Sequence, residues 1–454
     1  MSGEPSVGTA GGTNAVSGEA RVLPGPNSVG MFEMLRFMRN PREGMVEYAK
    51  KYGDTFGTSD GKGFVAFTGH PDGIRAVFAA DPDVFDIPLR EQLAPFFGAT
   101  SLILTVGAKH KKDRKLLTPP FHGARMRAYA SIVIDTAKRE VAKLEAGKPF
   151  VMMTVTQSIT LEVILRAVFG VTEESRREQF RAAVVKLMGA MASPSITMFE
   201  FTRHEFAGLG PWAKFRRAKS ALDALMLEEI GARRESAAQR DDILSMMLCA
   251  RYDDGSPMSD EELRDQMHLL LFAGHDTTST SLAWAFYWLA RENEVREKLL
   301  AEIATLGNNP DPEAIAALPY LDAVCQETLR IHPVVMNVGR RLREPLDVRG
   351  YTIPKGATVM ISLLMLHNRE DLYPEPRKFR PERFLERKFS PFEMVPFGGG
   401  ARRCIGAALA MYEMKLALAT MLPVKNFVLA KDREEESVIR GLTMGPKNGV
   451  VMKI

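Results

Sequence analysis

Ser259-Asp260-Glu261-Glu262 is a capping-box signature, and the helical pattern it opens continues to about Arg291. A run of roughly 30 helical residues is unusually long, so this helix is predicted to cross the whole protein. Its middle breaks the local rules. Ala273-Gly274-His275-Asp276-Thr277-Thr278 sets glycine and a polar cluster amid Leu269, Leu270, Leu271, Phe272, Leu282 and Trp284, which weakens a buried helix. Such a violation is either a helix–helix packing notch or a functional site. Thr277 can turn its hydroxyl toward the Ala273 carbonyl and open the helix there, making room for a small ligand or water. Ala273, Thr277 and Thr280 fall on one face, so a flat cofactor could lie against Ala273 and Gly274.

The other elements are shorter. Helical spacing of apolar residues covers about 124–145, 155–170, 173–191 and 213–240, and a last helix begins after Cys404 and runs to about Leu422. Strand signals are few: Thr55 to Thr68, and Leu346 to Ile361, where Gly350 and Pro354-Lys355-Gly356 punctuate short alternating segments. Asn368 to Gly400 is rich in Pro, Arg and Gly with little periodicity, and so long an irregular stretch in a compact protein is usually functional. The fold class is mainly α with a small β-rich region.

Composition excludes several classes. The chain has 454 residues, 45 % hydrophobic and 26 % charged, which is neither a disordered nor a membrane composition. It can bury a core without disulfide or metal staples. Its 60 basic against 56 acidic side chains leave a formal +4, no sign of a nucleic-acid or membrane-surface specialist. Cys249, Cys325 and Cys404 are too few and too scattered for a disulfide framework. No apolar run approaches the ~18 residues of a membrane span, and the N-terminus lacks a signal-peptide core. Residues 1–22 are expected to be a disordered tail, and 23–454 a single domain of a cytoplasmic, monomeric protein with no membrane anchor.

The loop Phe397-Gly398-Gly399-Gly400-Ala401-Arg402-Arg403-Cys404-Ile405-Gly406 delivers one cysteine to the start of an apolar helix. Free N–H groups, the positive helix end, Arg402 and Arg403 would all stabilise a thiolate there. A small buried core cysteine is the bland alternative. A nucleophile would need a histidine base, a zinc site would need more ligands nearby, and a phosphate loop would need a following Gly-Lys-Ser/Thr. A lone thiolate at a helix start, hemmed by glycines that admit a flat ligand, suits the axial ligand of a haem.

Two further patterns gain meaning from company. Glu-x-x-Arg begins at Glu33, Glu173, Glu174, Glu178, Glu200, Glu261 and Glu327, and most of these are solvated surface pairs. The last, Glu327-Thr328-Leu329-Arg330, runs into Ile331-His332-Pro333 and precedes Arg340 and Pro381-Glu382-Arg383-Phe384. Lys109-His110-Lys111-Lys112-Asp113-Arg114-Lys115 carries five positive charges against one negative, the same +4 as the whole chain. A solvated surface is its default reading, but His110 and Arg114 share a helical face that could hold anionic groups.

In this order and at this spacing, the motifs resemble those of the cytochrome P-450 family, the haem-thiolate monooxygenases. They are His-x-x-x-Arg at His110, Ala-Gly-x-Asp-Thr-Thr at Ala273, Glu-x-x-Arg at Glu327, Pro-Glu-Arg-Phe at Pro381 and Phe-x-x-Gly-x-Arg-x-Cys-x-Gly at Phe397. The resemblance implies a helical bundle around a haem b whose iron takes Cys404 as axial ligand. It implies that His110, Arg114, Arg340 and Arg402 hold the propionates, and that Ala273, Gly274, Thr277, Pro396, Phe397, Gly398 and Gly406 line the cofactor. Glu327, Arg330 and Arg383 would form a buried ion network, and Asp276 and Thr277 would deliver protons to bound dioxygen.

The implied reaction inserts one oxygen atom of O2 into a hydrophobic small molecule, a fatty acid, terpenoid or steroid-like compound, with electrons from NAD(P)H. No fused reductase is expected after Ile454, and a separate ferredoxin or flavodoxin with its reductase is expected to dock near Lys109, Lys111, Lys112, Lys115 and Arg403. Substrate contacts are expected from Phe85–Leu104, Met188–Gly210, Leu269–Thr277, Val334–Val338 and Leu442–Met444. A haem-thiolate peroxygenase or isomerase, or a haem-based ligand sensor, are the alternatives. Asp276 with Thr277 speaks against the first, and the lack of residues for an output segment against the second.

Overall fold

The computed structural model describes residues 22–59, 63–121, 123, 125–191 and 208–454. Of the expected N-terminal tail only Val22 belongs to that set, so the tail itself lies outside the described residues.

The capping box forms as its residues predict. Ser259 Oγ accepts from the Glu262 amide at 3.1 Å, and Glu262 Oε2 accepts from the Ser259 amide at 2.8 Å. The long helix spans Asp260–Arg291, 32 residues, on the order of 48 Å at its rise per residue. Most of its side chains are buried on every side because other helices flank it: Met152–Val163, Pro211–Arg233, Pro319–Ile331 and Ala407–Met421. Gly274 serves the first of these contacts. A Cβ there would lie 2.6 Å from Ile164 Cδ1, in the π turn Ile164–Val168 that continues the Met152–Val163 helix. The packing-notch reading therefore accounts for Gly274, while the polar residues beside it need another explanation.

The shorter helices follow the sequence spacing with shifted ends: Arg125–Ala142, Met152–Val163, Glu174–Met191 and Ala407–Met421. The pattern over 213–240 stops sooner, at Arg233. The Arg233 guanidinium binds Glu229 one turn back on the helix and reaches beyond it to Asp242 Oδ2 at 2.8 Å and the carbonyls of Phe169 and Gly170 at 3.2 Å. The Pro319–Ile331 helix ends before Pro333, and His332 stacks on Trp284 of the long helix at 3.6 Å between ring centroids.

A five-stranded sheet runs in the order Thr55–Ser59, Phe64–Thr68, Thr358–Ser362, Asn337–Leu342, Phe85–Asp86. Phe64–Thr68 and Thr358–Ser362 are parallel, with Val65 opposite Thr358; the other pairings are antiparallel, with Arg340 opposite Val359. Asn337–Leu342 was not anticipated as a strand, because Arg340 and Arg341 dilute its apolar alternation. A hairpin of Ser437–Arg440 and Thr443–Pro446 packs against the long helix. Among the described residues, no helix is long and apolar enough to cross a membrane.

Candidate active site

The loop before the Ala407–Met421 helix closes on itself through the Cys404 amide, which donates to the Phe397 carbonyl at 2.9 Å. Gly400 has φ +62°, and a Cβ on it would meet the Phe78 carbonyl oxygen at 2.6 Å, so the chain can lie this close to Phe78 only as glycine. Cys404 keeps accessible surface at the end of this loop. Burial pushes its thiol up, opposed by a hydrogen bond from the Gly406 amide and by the charges of Arg114 and Arg403. Arg402 takes no part in this, contrary to the sequence expectation. Its guanidinium turns away to donate to the carbonyls of Thr105 and, at 3.4 Å, Ile103. Pro396, Phe397, Gly398 and Arg403 line a cavity of about 550 Å³ together with Phe78 and Met394.

His110 is buried on the Gly107–Leu117 helix, and four cations surround it. Burial, Arg402, Arg114, Arg340 and Lys111 together hold its imidazole down at about 4, so it is neutral at pH 7. Arg340 reaches the cluster from the strand Asn337–Leu342, and burial lowers its guanidinium to about 10. Among the described residues, none of Arg114, Arg340 and Arg402 forms an ion pair with a carboxylate; each donates to backbone carbonyls, of Arg403 (2.7 Å), Gly339 (2.8 Å) and Thr105. Asp86, whose charge acts on Arg402, is shared between Arg90 at 3.1 Å and Arg343 at 3.5 Å. Desolvated like charges without counter-ions are costly, so this donor set fits a group that brings two carboxylates.

Three of the four lysines around His110 have carboxylate partners. Lys109 is enclosed by Asp113 (2.7 Å), the Tyr252 hydroxyl (2.7 Å) and Glu262. Lys111 pairs with Asp83 at 3.0 Å and Lys115 with Asp253 at 2.6 Å. Tertiary partners thus cancel most of the segment's +4. Of the five expected docking residues, Lys112 and Arg403 are exposed and without an ion pair among the described residues.

On the long helix, Thr277 Oγ1 donates to the Ala273 carbonyl at 2.5 Å, as the sequence predicts, while the helix itself continues unbroken. Ala273 is exposed and Gly274, Asp276 and Thr277 partly so, in a stretch that is otherwise buried. This open face ends at Thr277. Thr280, expected to share it, is buried against Met153, whose sulfur lies 3.9 Å from its hydroxyl. His275 points the other way, to Thr160 Oγ1 at 2.8 Å. Asp276 accepts from Thr443 Oγ1 at 2.8 Å. Burial pushes its carboxyl up, opposed by that hydrogen bond and by Arg440. Thr443 and Arg440 were not singled out from the sequence, which offered only the segment Leu442–Met444.

Glu327 is fully buried, and it binds Arg330 twice, Arg383 Nε at 3.1 Å and the Arg380 amide at 2.9 Å. The network thereby ties the irregular segment before the cysteine loop to the Pro319–Ile331 helix. Glu178–Arg181, with the same spacing, is a surface pair, and Arg36 leaves Glu33 for Glu47.

Among the segments expected to meet substrate, 85–104, 334–338 and 442–444 present exposed large apolar side chains: Leu89 and Ile103, Val335, and Leu442. Residues 192–207 of Met188–Gly210 lie outside the described residues. An unforeseen clasp holds the first segment to the long helix. Asp265 Oδ2 accepts from the Thr100 hydroxyl at 2.8 Å and amide at 3.1 Å, and Gln266 Oε1 accepts from the Leu102 amide at 3.0 Å.

The family model described as Cytochrome P450 matches residues 23–452. "Putative cytochrome P450 135B1" of Mycobacterium tuberculosis is 34 % identical over 442 residues, 95 % of this chain and 91 % of that protein. "Putative cytochrome P450 138" of the same organism is 32 % identical over 444 residues, 95 % of this chain and 96 % of that one. Among solved structures, "Retinoic acid bound cyanobacterial CYP120A1" superposes with a TM-score of 0.85 at 26 % identity, covering 96 % of this chain and 99 % of its own.

Proposed function

The chain belongs to the cytochrome P450 family, and from that premise we propose which residues carry the chemistry of this haem-dependent monooxygenase and what it acts on. Haem, when bound, would supply the iron chemistry that activates dioxygen, with a cysteine thiolate as its protein ligand. Cys404 is that ligand, presented by the glycine loop. His110, Arg114, Arg340 and Arg402 hold the propionates, and this reading rests above all on their convergence without an ion pair to a protein carboxylate among the described residues.

Ala273 presents only a methyl group to a planar group beside the long helix, and Gly274 beside it lets the helix pack against Ile164. Thr277 and Asp276 move protons toward the dioxygen being reduced: one is an alcohol tied to the Ala273 carbonyl, the other a carboxyl raised by burial. Leu89, Ile103, Val335 and Leu442 exclude water and favour an apolar substrate, a fatty acid, terpenoid or steroid-like compound. The cyanobacterial structural neighbour is bound to retinoic acid, an isoprenoid acid, and its likeness to this chain supports that class. Electrons come from NAD(P)H through a separate ferredoxin or flavodoxin, which Lys112 and Arg403 steer. The catalytic domain covers 23–454 and works in the cytoplasm.

The absorption spectrum of the reduced, carbon-monoxide-bound protein tests the site. A red-shifted Soret band that Cys404→Ala abolishes is the expected result; a band that survives the substitution refutes the assignment. Spin-state shifts on titrating fatty acids, terpenoids and steroids then test the substrate class.

A further inference from the structure

Thr443 Oγ1 lies 2.8 Å from Asp276 Oδ2 and also 3.2 Å from the backbone oxygen of Arg440. One hydroxyl carries one proton and cannot donate to both. When Asp276 is ionised, Thr443 donates to Oδ2. When Asp276 is protonated, the acid donates to Thr443 Oγ1, and the hydroxyl turns its proton to the Arg440 carbonyl. Rotation about a single C–O bond therefore pairs both charge states without moving a heavy atom.

We propose that Thr443 is a positioning residue for proton delivery, keeping Asp276 oriented through both halves of its protonation cycle. The inference rests on the reading of Asp276 as a proton donor given above. A solvent proton adds to the Asp276 carboxylate, the acid passes it toward the dioxygen being reduced, and the carboxylate is restored; Thr443 gains and loses none. The surroundings support a group that changes charge. Burial favours the neutral acid, and Arg440, the charged group facing Asp276 among the described residues, favours the carboxylate. Thr443 sits on a strand that packs directly against the long helix, so the partner is held by the fold rather than by a free loop.

The test is an infrared titration of the haem-loaded protein, following the carboxyl band that Asp276→Asn removes. Thr443→Val, nearly isosteric but without the hydroxyl, is expected to move the Asp276 midpoint to higher pH by about 1 unit: both charge states lose a partner, and the charge-assisted hydrogen bond to the carboxylate is the stronger of the two. With a surrogate ferredoxin and reductase, the same variant sends a severalfold larger share of NADPH electrons into hydrogen peroxide. Thr443→Ser restores both values; Thr443→Ala is the second hydroxyl-free variant should valine disturb folding. An unmoved midpoint, or a serine variant as impaired as valine, overturns the proposal. The carbon-monoxide spectrum is recorded on every protein. A wild type without the red-shifted band refutes the haem-thiolate site itself, whereas the band with an unmoved midpoint refutes only the role of Thr443.

Discussion

Arg330 closes on Glu327 through two hydrogen bonds, Nε to Oε2 at 2.6 Å and Nη2 to Oε1 at 2.8 Å, where neither side chain exposes more than 1 % of its surface. The same carboxylate serves Arg383 and the Arg380 amide, so two helix residues and the irregular segment share one buried charge.

Glu327→Gln is therefore expected to leave two buried guanidiniums without a counter-ion, at a cost on the order of 3–5 kcal/mol. Glu178→Gln, at the same Glu-x-x-Arg spacing but on the surface, changes stability by less than about 0.5 kcal/mol. Denaturant unfolding of the two variants side by side makes the comparison. Equal effects would contradict the assignment of the network to the buried pair.

Gly274→Ala places a methyl group 2.6 Å from Ile164 Cδ1. Ile164→Val removes that carbon. The double variant is expected to be more stable than the sum of the single changes by about 1 kcal/mol, the coupling of two groups that compete for one space. Additive unfolding energies would show that Gly274 is not a packing requirement.

His275 predicts a loss of stability in acid. The unfolded imidazole takes its proton near pH 6.5, whereas burial lowers the folded value to about 4. Between these values the unfolded state holds the extra proton, so stability falls as the pH drops from 6.5 toward 4. The full difference approaches about 3 kcal/mol. His275→Gln, which keeps a partner for Thr160, should flatten that part of the stability–pH curve.

Charge reversal at Lys112 together with Arg403 should slow the first electron transfer about tenfold at low salt and less at high salt, with substrate affinity unchanged. Lys111→Glu should matter less, because Asp83 already neutralises that lysine. Stopped-flow reduction rates across an ionic-strength series decide between the two sites.

Much of the site was legible where the partners are neighbours along the chain. The Ser259–Glu262 cap and the Thr277–Ala273 hydrogen bond each close within about one helical turn, so residue type and spacing suffice to foresee them. The cysteine loop was legible because glycine and cysteine serve so few purposes in that combination. Thr280 was misassigned to the open face because helical phase does not say how far a cofactor-sized opening extends before Met153 fills it. Arg402 was expected beside Cys404, but the carbonyls of Ile103 and Thr105 drew it elsewhere.

Sequence alone determined the long helix, the order of the motifs and the single cysteine they lead to, all properties of local spacing. Tertiary structure alone decided which Glu-x-x-Arg is buried, which lysines keep their charge unspent and what orients Asp276. Lys109 meets Glu262 across 153 residues and Asp276 meets Thr443 across 167. At such separations only the packing of the core chooses partners, because desolvation and pairing depend on what the rest of the chain brings near, and no local pattern carries that information.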